Sequence, residues 1–329
     1  MNWDKLGIMC DFQRIKVGVS ACLIGQEVRY DGSHKRDGYI TGTLGQYFDF
    51  LPLCPEVGAG LGIPRPTIRL IRRDSQIRAV NVKDASVDHT QALAHYLDKV
   101  VAQVSEVCGY ILKKSSPSCG MERVKVYDPL KPNLPPERDG VGLFAQALRA
   151  RFPLLPMEEE GRLCDPVLRE NFIGRVFVYH RWRDLLATGL TPASLVDFHA
   201  DHKYMLMAHD QDIARQLGQK VAQAGAVTDL AALGEEYIIL LMAALSKRVT
   251  RGRHANVLMH LMGYLKPHID ALDREELLDT IHQYRQGFVP LVVPVTLLKH
   301  HFRRHPQPYI GRQHYLSPHP GELMLRNQL

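Results

Sequence analysis

Apolar positions in the first half of the chain follow two alternating patterns. Short continuous runs at 15–19 and 109–112 lead into Gly, Pro or Ser, and each reads as a buried strand. Residues 87–108 instead place Leu93, Tyr96, Leu97, Val100, Val101 and Val104 at three- and four-residue spacing, which predicts an amphipathic helix. A second helix is expected over 140–151, after the Pro-rich loop at 129–136. The stretch 152–156, bordered by Pro153 and Pro156, reads as a last short strand. This alternation predicts an α/β domain over residues 1–165, doubly wound around a mostly parallel sheet.

Beyond residue 165 the pattern changes. Long helical periods follow one another at 166–186, 194–217, 229–250, 255–264 and 274–287, with few strand signals. They predict an all-α domain over 166–329, with 165–188 as a connecting helix. Thr191-Pro192 and Asp273 are the expected helix starts. Met and aromatic residues here, such as Tyr204, Met205 and Met207, suit a core rather than a cofactor box.

Composition adds little to that division. A chain of 329 residues that is 45% hydrophobic and 23% charged suits two soluble domains. No apolar run reaches membrane-spanning length and the N-terminus does not resemble a signal peptide, so no membrane association and a cytoplasmic location are expected. The net charge of +6 permits an anionic partner without requiring one.

Cysteine placement changes the picture more. Cys22, Cys54 and Cys119 each stand where an apolar run enters a turn: SACLIG, LCPE and SSPSCG. In a parallel sheet such turns gather at the carboxyl edge, where ligands bind. Three thiols meeting there can hold an iron–sulfur cluster with one iron open, or simply be small buried side chains. Paired zinc-type spacing and ferredoxin spacing are both absent. Cys10, Cys108 and Cys164 lack a comparable turn, with Cys108 the best substitute ligand.

Other polar residues share those motifs. Glu56, two residues after Cys54, is the candidate proton-transfer carboxylate; its alternative is a loop carboxylate paired with Arg65 or Arg29. Ser20, Ser115, Ser116 and Ser118 can bond to a substrate or only to the local backbone. Asp31 can bind substrate, orient a water or close a turn. Gly58, Gly60 and Gly62 match a dinucleotide fingerprint only loosely, and close approach of backbone to a bulky group accounts for them. His199, His202 and His209 suit solvated or core-edge positions better than a metal site.

These motifs together carry a resemblance. SACLIGQEVRYDG at 20–32, LCPEVGAGLGIPRP at 53–66, KSSPSCG at 114–120 and EEEGRL at 158–163 resemble the thiouracil desulfidase family. DHKYMLMAHD at 201–210, NVLMHLMGYLK at 256–266 and HQYRQGFVPLVVPVTLLKH at 282–300 resemble the YbgA-like helical domain. The first resemblance implies a [4Fe-4S] cluster on Cys22, Cys54 and Cys119. Glu56, Ser118, Asp31 and Ser116, polar residues of the same motifs, are the candidate catalytic residues. Proteins that combine both domains resemble bacterial desulfidases that convert 4-thiouridine in transfer RNA to uridine.

The implied reaction is hydrolytic and non-redox, and free thiouracil or other small thiolated pyrimidines are further expected substrates. The helical domain would help bind transfer RNA. Its candidate phosphate contacts are Lys203, Lys247, Arg248, Arg251, Arg253, Lys266, Arg303, Arg304 and Arg312, with Tyr309 or Tyr315 stacking on a base. Two alternatives stay open: a desulfidase confined to free bases, and a non-catalytic iron–sulfur redox or stress sensor with a partner-binding helical half.

Overall fold

The structure is a computed structural model that describes residues 14–327. The chain divides into two compact units at Cys164/Asp165. The described strands, all in the first unit, are β1 Ile15–Ser20, β2 Phe48–Leu53, β3 Ile68–Arg73, β4 Gln76–Asn81, β5 Tyr110–Leu112, β6 Val124–Tyr127, β7 Glu137–Gly140 and β8 Met157–Glu159. Its helices are α1 Pro55–Gly58, α2 Thr90–Ser105 and α3 Leu143–Arg151.

Four strands form an all-parallel sheet in the order β2-β1-β5-β8. Val17, Val19, Ile111 and Leu112 have no exposed surface, as expected for strands covered on both faces. Tyr110 stacks across Gly18 so closely that a Cβ on Gly18 would lie 2.2 Å from the ring. The same ring meets Phe144 of α3 edge-on at 5.9 Å, and Phe144 meets Tyr96 of α2 at 5.8 Å. This aromatic chain fixes both helices against the sheet.

The expected strand at 152–156 begins instead at Met157, which pairs with Tyr110. Pro153 and Pro156 cannot donate to a ladder, so pairing starts only after the second. A second, mixed sheet in the order β4-β3-β6-β7 has no counterpart in the sequence reading. Arg69, Arg72, Arg73 and Arg78 interrupt its hydrophobic alternation, and its hairpin turns on Asp74 and Ser75, both at positive φ, rather than on glycine. Leu70, Ala79, Val124 and Val126 pack with Leu93 and Leu143 beneath it.

The second unit is helical: α4 Pro166–Thr188, α5 Pro192–His209, α6 Gln211–Val221, α7 Leu230–Leu245, α8 Arg251–Gly263, α9 Ala271–Gln286 and α10 Val292–Arg304. The single helix expected over 194–217 is two, because Asp210 is extended and caps α6 by accepting from Asp212 and Ile213 N–H at 3.0 Å each. The segment 229–250 likewise ends at Leu245, and Thr250 caps α8. Asp270, not Asp273, caps α9, accepting from the Asp273 N–H at 2.8 Å.

Candidate active site

All four parallel strands end at one edge, and the turns after β1, β2 and β5 carry Cys22, Cys54 and Cys119 to a single cavity of about 250 Å³. Each turn has its own local cause. Cys22 lies in a short 3-10 turn closed by Gly25 at φ +98°. Cys54 is the extended residue before α1, with Pro55 at the first helical position. Its sulfur lies 3.8 Å from the Val28 carbonyl.

The Cys119 turn is held twice. Ser116 Oγ accepts from the N–H groups of Ser118 and Cys119 at 3.2 and 3.1 Å. The first turn of α3 donates to it from the other side, Leu143 N to the Pro117 carbonyl and Phe144 N to the Ser118 carbonyl. Gly142 makes this approach possible: a Cβ there would lie 2.6 Å from the Ser118 backbone.

Burial pushes the Cys22 thiol up to about 11, and the nearby Cys54 adds to the shift. Burial also raises Cys54, and raises Cys119 well above the ordinary range. Neutral thiols are favoured until a cationic centre is set among them, when thiolate becomes the stable form. Among the described residues no three His, Cys, Asp or Glu side chains are gathered closely enough for one metal ion. The three sulfurs border a cavity instead, a donor set suited to a larger thiophilic group.

Glu56 lines the same cavity and is gripped at both oxygens. Oε2 accepts from Arg65 Nε at 2.9 Å, with the Nη2 of Arg65 at 2.8 Å, while Oε1 accepts from Ser118 Oγ at 2.9 Å. Arg65, only 8% exposed, also donates to the Gly62 and Val28 carbonyls at 2.9 Å each. Of the two arginine partners considered from sequence, the structure selects Arg65. Arg29 bonds to Ser33 and lies 3.6 Å from Asp31.

The other candidate residues separate. Ser118 is fully buried, and Ser116 lines the cavity while its oxygen holds the turn. Asp31 is exposed and is not part of the cavity wall; hydrogen bonds from Ser33 hold its carboxyl below the usual range. A Cβ on Gly58 would meet the Tyr96 ring at 2.0 Å, and Gly60 and Gly62 adopt positive φ, so each of the three glycines has a local reason in the protein itself. Cys108 is buried away from the cavity wall, Cys164 is exposed, and Cys10 lies outside the described residues.

One pair escaped the sequence reading. Lys113 Nζ forms an ion pair with Glu160 Oε1, and Glu160 Oε2 accepts from the Lys114 N–H at 2.7 Å. This joins the ends of β5 and β8 beside the cavity; an acidic run directly after an apolar strand was the available signal.

In the helical unit His199, His202 and His209 are buried, with Nδ1 of each beside Tyr237 OH, the Phe198 carbonyl and the Lys247 carbonyl respectively, while Nε2 of His202 has no hydrogen-bond partner. Tyr315 is 1% exposed and cannot stack on an outside base, which corrects that expectation. Several basic candidates have internal partners: Lys247 with Asp210, Arg248 with Asp165, Arg253 with the His209 carbonyl and Arg312 with Asp197 and Asp201. No helix among the described residues is long and apolar enough to cross a membrane.

Comparison with known proteins agrees with this two-part organisation. Residues 17–160 match the family model described as 2-thiouracil desulfurase, and residues 203–320 match DUF1722, a protein family of unknown function. The uncharacterized protein YbgA of Escherichia coli strain K12 is 34% identical over 153 residues, which is 46% of this chain and 90% of that protein. A solved structure of a [4Fe-4S]-dependent thiouracil desulfidase, TudS, is 30% identical and covers 46% of this chain and 94% of its own, with a TM-score of 0.36. The chain belongs to the family of YbgA, and its residues 17–160 are in addition similar to the 2-thiouracil desulfurase family.

Proposed function

We propose that this protein is an iron–sulfur desulfidase that removes sulfur from thiolated pyrimidines, with 4-thiouridine in transfer RNA as its main substrate and free thiouracil as a second. The observation that carries the reading is the convergence of three strand-end cysteines and an anchored carboxylate on one cavity. Cys22, Cys54 and Cys119 would hold a [4Fe-4S] cluster. When bound, that group supplies an iron without a protein ligand, a soft Lewis acid for the thiocarbonyl sulfur.

The chain's own residues handle the rest. Glu56 takes a proton from the water that adds to the pyrimidine carbon and returns it to the departing sulfur. Arg65 and Ser118 hold the carboxylate in place for both steps. The balance is a thiocarbonyl plus water giving a carbonyl plus hydrogen sulfide, with no net change of oxidation state and no added electron donor. Exposed basic groups of the helical domain, such as Lys203 and Lys266, would contact RNA phosphates.

The test is anaerobic reconstitution followed by iron, sulfide and turnover measurements. We expect about four irons per chain, and sulfide released in step with uridine from thiolated transfer RNA. Oxygen-18 water should label the product carbonyl. Cys22→Ala, Cys54→Ala and Cys119→Ala should each lose iron and activity, whereas Cys164→Ala keeps both. Release from free thiouracil alone would confine the enzyme to free bases. No release from either substrate by cluster-loaded protein would favour a sensor.

A further inference from the structure

The Arg29-Tyr30-Asp31-Gly32 motif lies in the loop between β1 and β2, and no step described above uses it. Tyr30 is 41% exposed, yet it lines the cysteine cavity together with Arg29. A ring left in water at a cavity wall adds little to a core, so packing gives no reason for an aromatic here. The fold needs only the backbone at this position. The Tyr30 carbonyl accepts from the Arg65 N–H at 2.9 Å, as the carbonyl of any residue could.

Arg65 fixes this loop from two directions. Its Nη2 donates to the Val28 carbonyl and its backbone N–H to the Tyr30 carbonyl, each at 2.9 Å, while its Nε donates to Glu56. One residue therefore sets the Tyr30 segment and the cavity carboxylate relative to each other. Beyond Tyr30 the chain turns back on itself. The Gly32 N–H donates to the Arg29 carbonyl at 3.0 Å, Gly32 takes φ +71°, and Asp31 accepts from the Ser33 N–H at 3.1 Å. Arg29 Nε donates to Ser33 Oγ at 3.2 Å, and its guanidinium lies over the Tyr30 ring, 5.3 Å from the centre. That contact restrains the ring. No other ring or cation stacks on it among the described residues.

We infer that Tyr30 is the stacking platform of the cavity, a specificity-determining residue that binds the planar face of the pyrimidine. The inference rests on the reading of the cavity as a thiolated-pyrimidine site and adds how the ring is held. Stacking uses the π-face that every base presents, so it tolerates changes at the ring edge. Exchange of sulfur for oxygen leaves that grip in place, and uracil should occupy the platform as thiouracil does.

The test uses full-length, cluster-loaded protein, with 2-thiouracil as substrate and uracil as a non-reacting probe followed by calorimetry. Tyr30→Leu keeps an apolar side chain but removes the π-face. It should raise KM for 2-thiouracil and weaken uracil binding, each about tenfold or more, the scale of one lost base–aromatic stack. The turnover number should fall far less, and iron content should be retained. Tyr30→Phe should restore KM and uracil affinity. Unaltered KM and uracil affinity in iron-loaded Tyr30→Leu would overturn the inference, as would an equal loss in Tyr30→Phe. If the unaltered protein releases no sulfide from 2-thiouracil or thiolated transfer RNA, the desulfidase reading fails and uracil binding alone decides. A loss confined to Tyr30→Leu then upholds the platform, and absence of uracil binding sinks it.

Discussion

Glu56 shows how one side chain joins structural and chemical roles. Its partners Arg65 and Ser118 hold both oxygens, and the carboxylate still borders the cavity with the three cysteines. Glu56→Gln keeps the volume and can still accept from Ser118, so the cysteine turns should persist. Turnover should fall roughly a hundredfold, the scale of a general acid–base group. Iron content matching the unaltered protein, together with that loss, is the expected pair of measurements. Near-normal turnover in iron-loaded Glu56→Gln would reduce the carboxylate to a loop anchor. The cysteine motifs were legible because strand, turn and thiol are contiguous. Arg65 was legible only as one of two arginines, because its selection depends on the path of the backbone between Cys54 and β3.

At the scale of elements, α3 serves as the clamp of the Cys119 turn. Its first N–H groups would otherwise lack partners, and they find the carbonyls of Pro117 and Ser118. Gly142→Ala would force a methyl group to 2.6 Å from the Ser118 backbone, so the two segments must separate. We expect a loss of about 1–3 kcal/mol, the usual cost of overpacking. Iron retention during anaerobic gel filtration should fall with it. A Gly142→Ala protein with unchanged urea midpoint and iron content would show that the turn is held by Ser116 alone. Pattern reading located α3 but not this duty, since Gly142 and Ser118 are distant in sequence.

For the whole molecule, buried histidines give the helical unit a built-in acid limit. Burial pushes His199, His209 and His319 down to about 4 and His314 to about 3, and holds His202 and His254 well below their ordinary range. The unfolded chain, whose histidines titrate near 6.5, therefore binds more protons than the folded one below that pH. Stability is complete above about pH 6.5 and falls as pH drops toward 4, by about 1.4 kcal/mol per pH unit for each histidine that protonates only on unfolding. The urea midpoint of helical circular dichroism should drop steeply between pH 7 and pH 5. A flat profile over that interval would mean that these rings titrate normally.

What the chain determined locally was the change from alternating strand and helix to continuous helix, the three thiol-bearing turns and the basic-aromatic tally of the second half. Each is written in contiguous residues, where periodicity, proline and glycine act directly on the backbone. Tertiary structure decided the rest. It divided the segment 194–217 at Asp210, paired the arginine-rich strands into a second sheet, buried Tyr315 and chose Arg65 over Arg29 for Glu56. Those outcomes depend on which distant segments come into contact. Burial then sets their energies, because a charge or hydrogen-bonding group removed from water must find its partner wherever the fold supplies one.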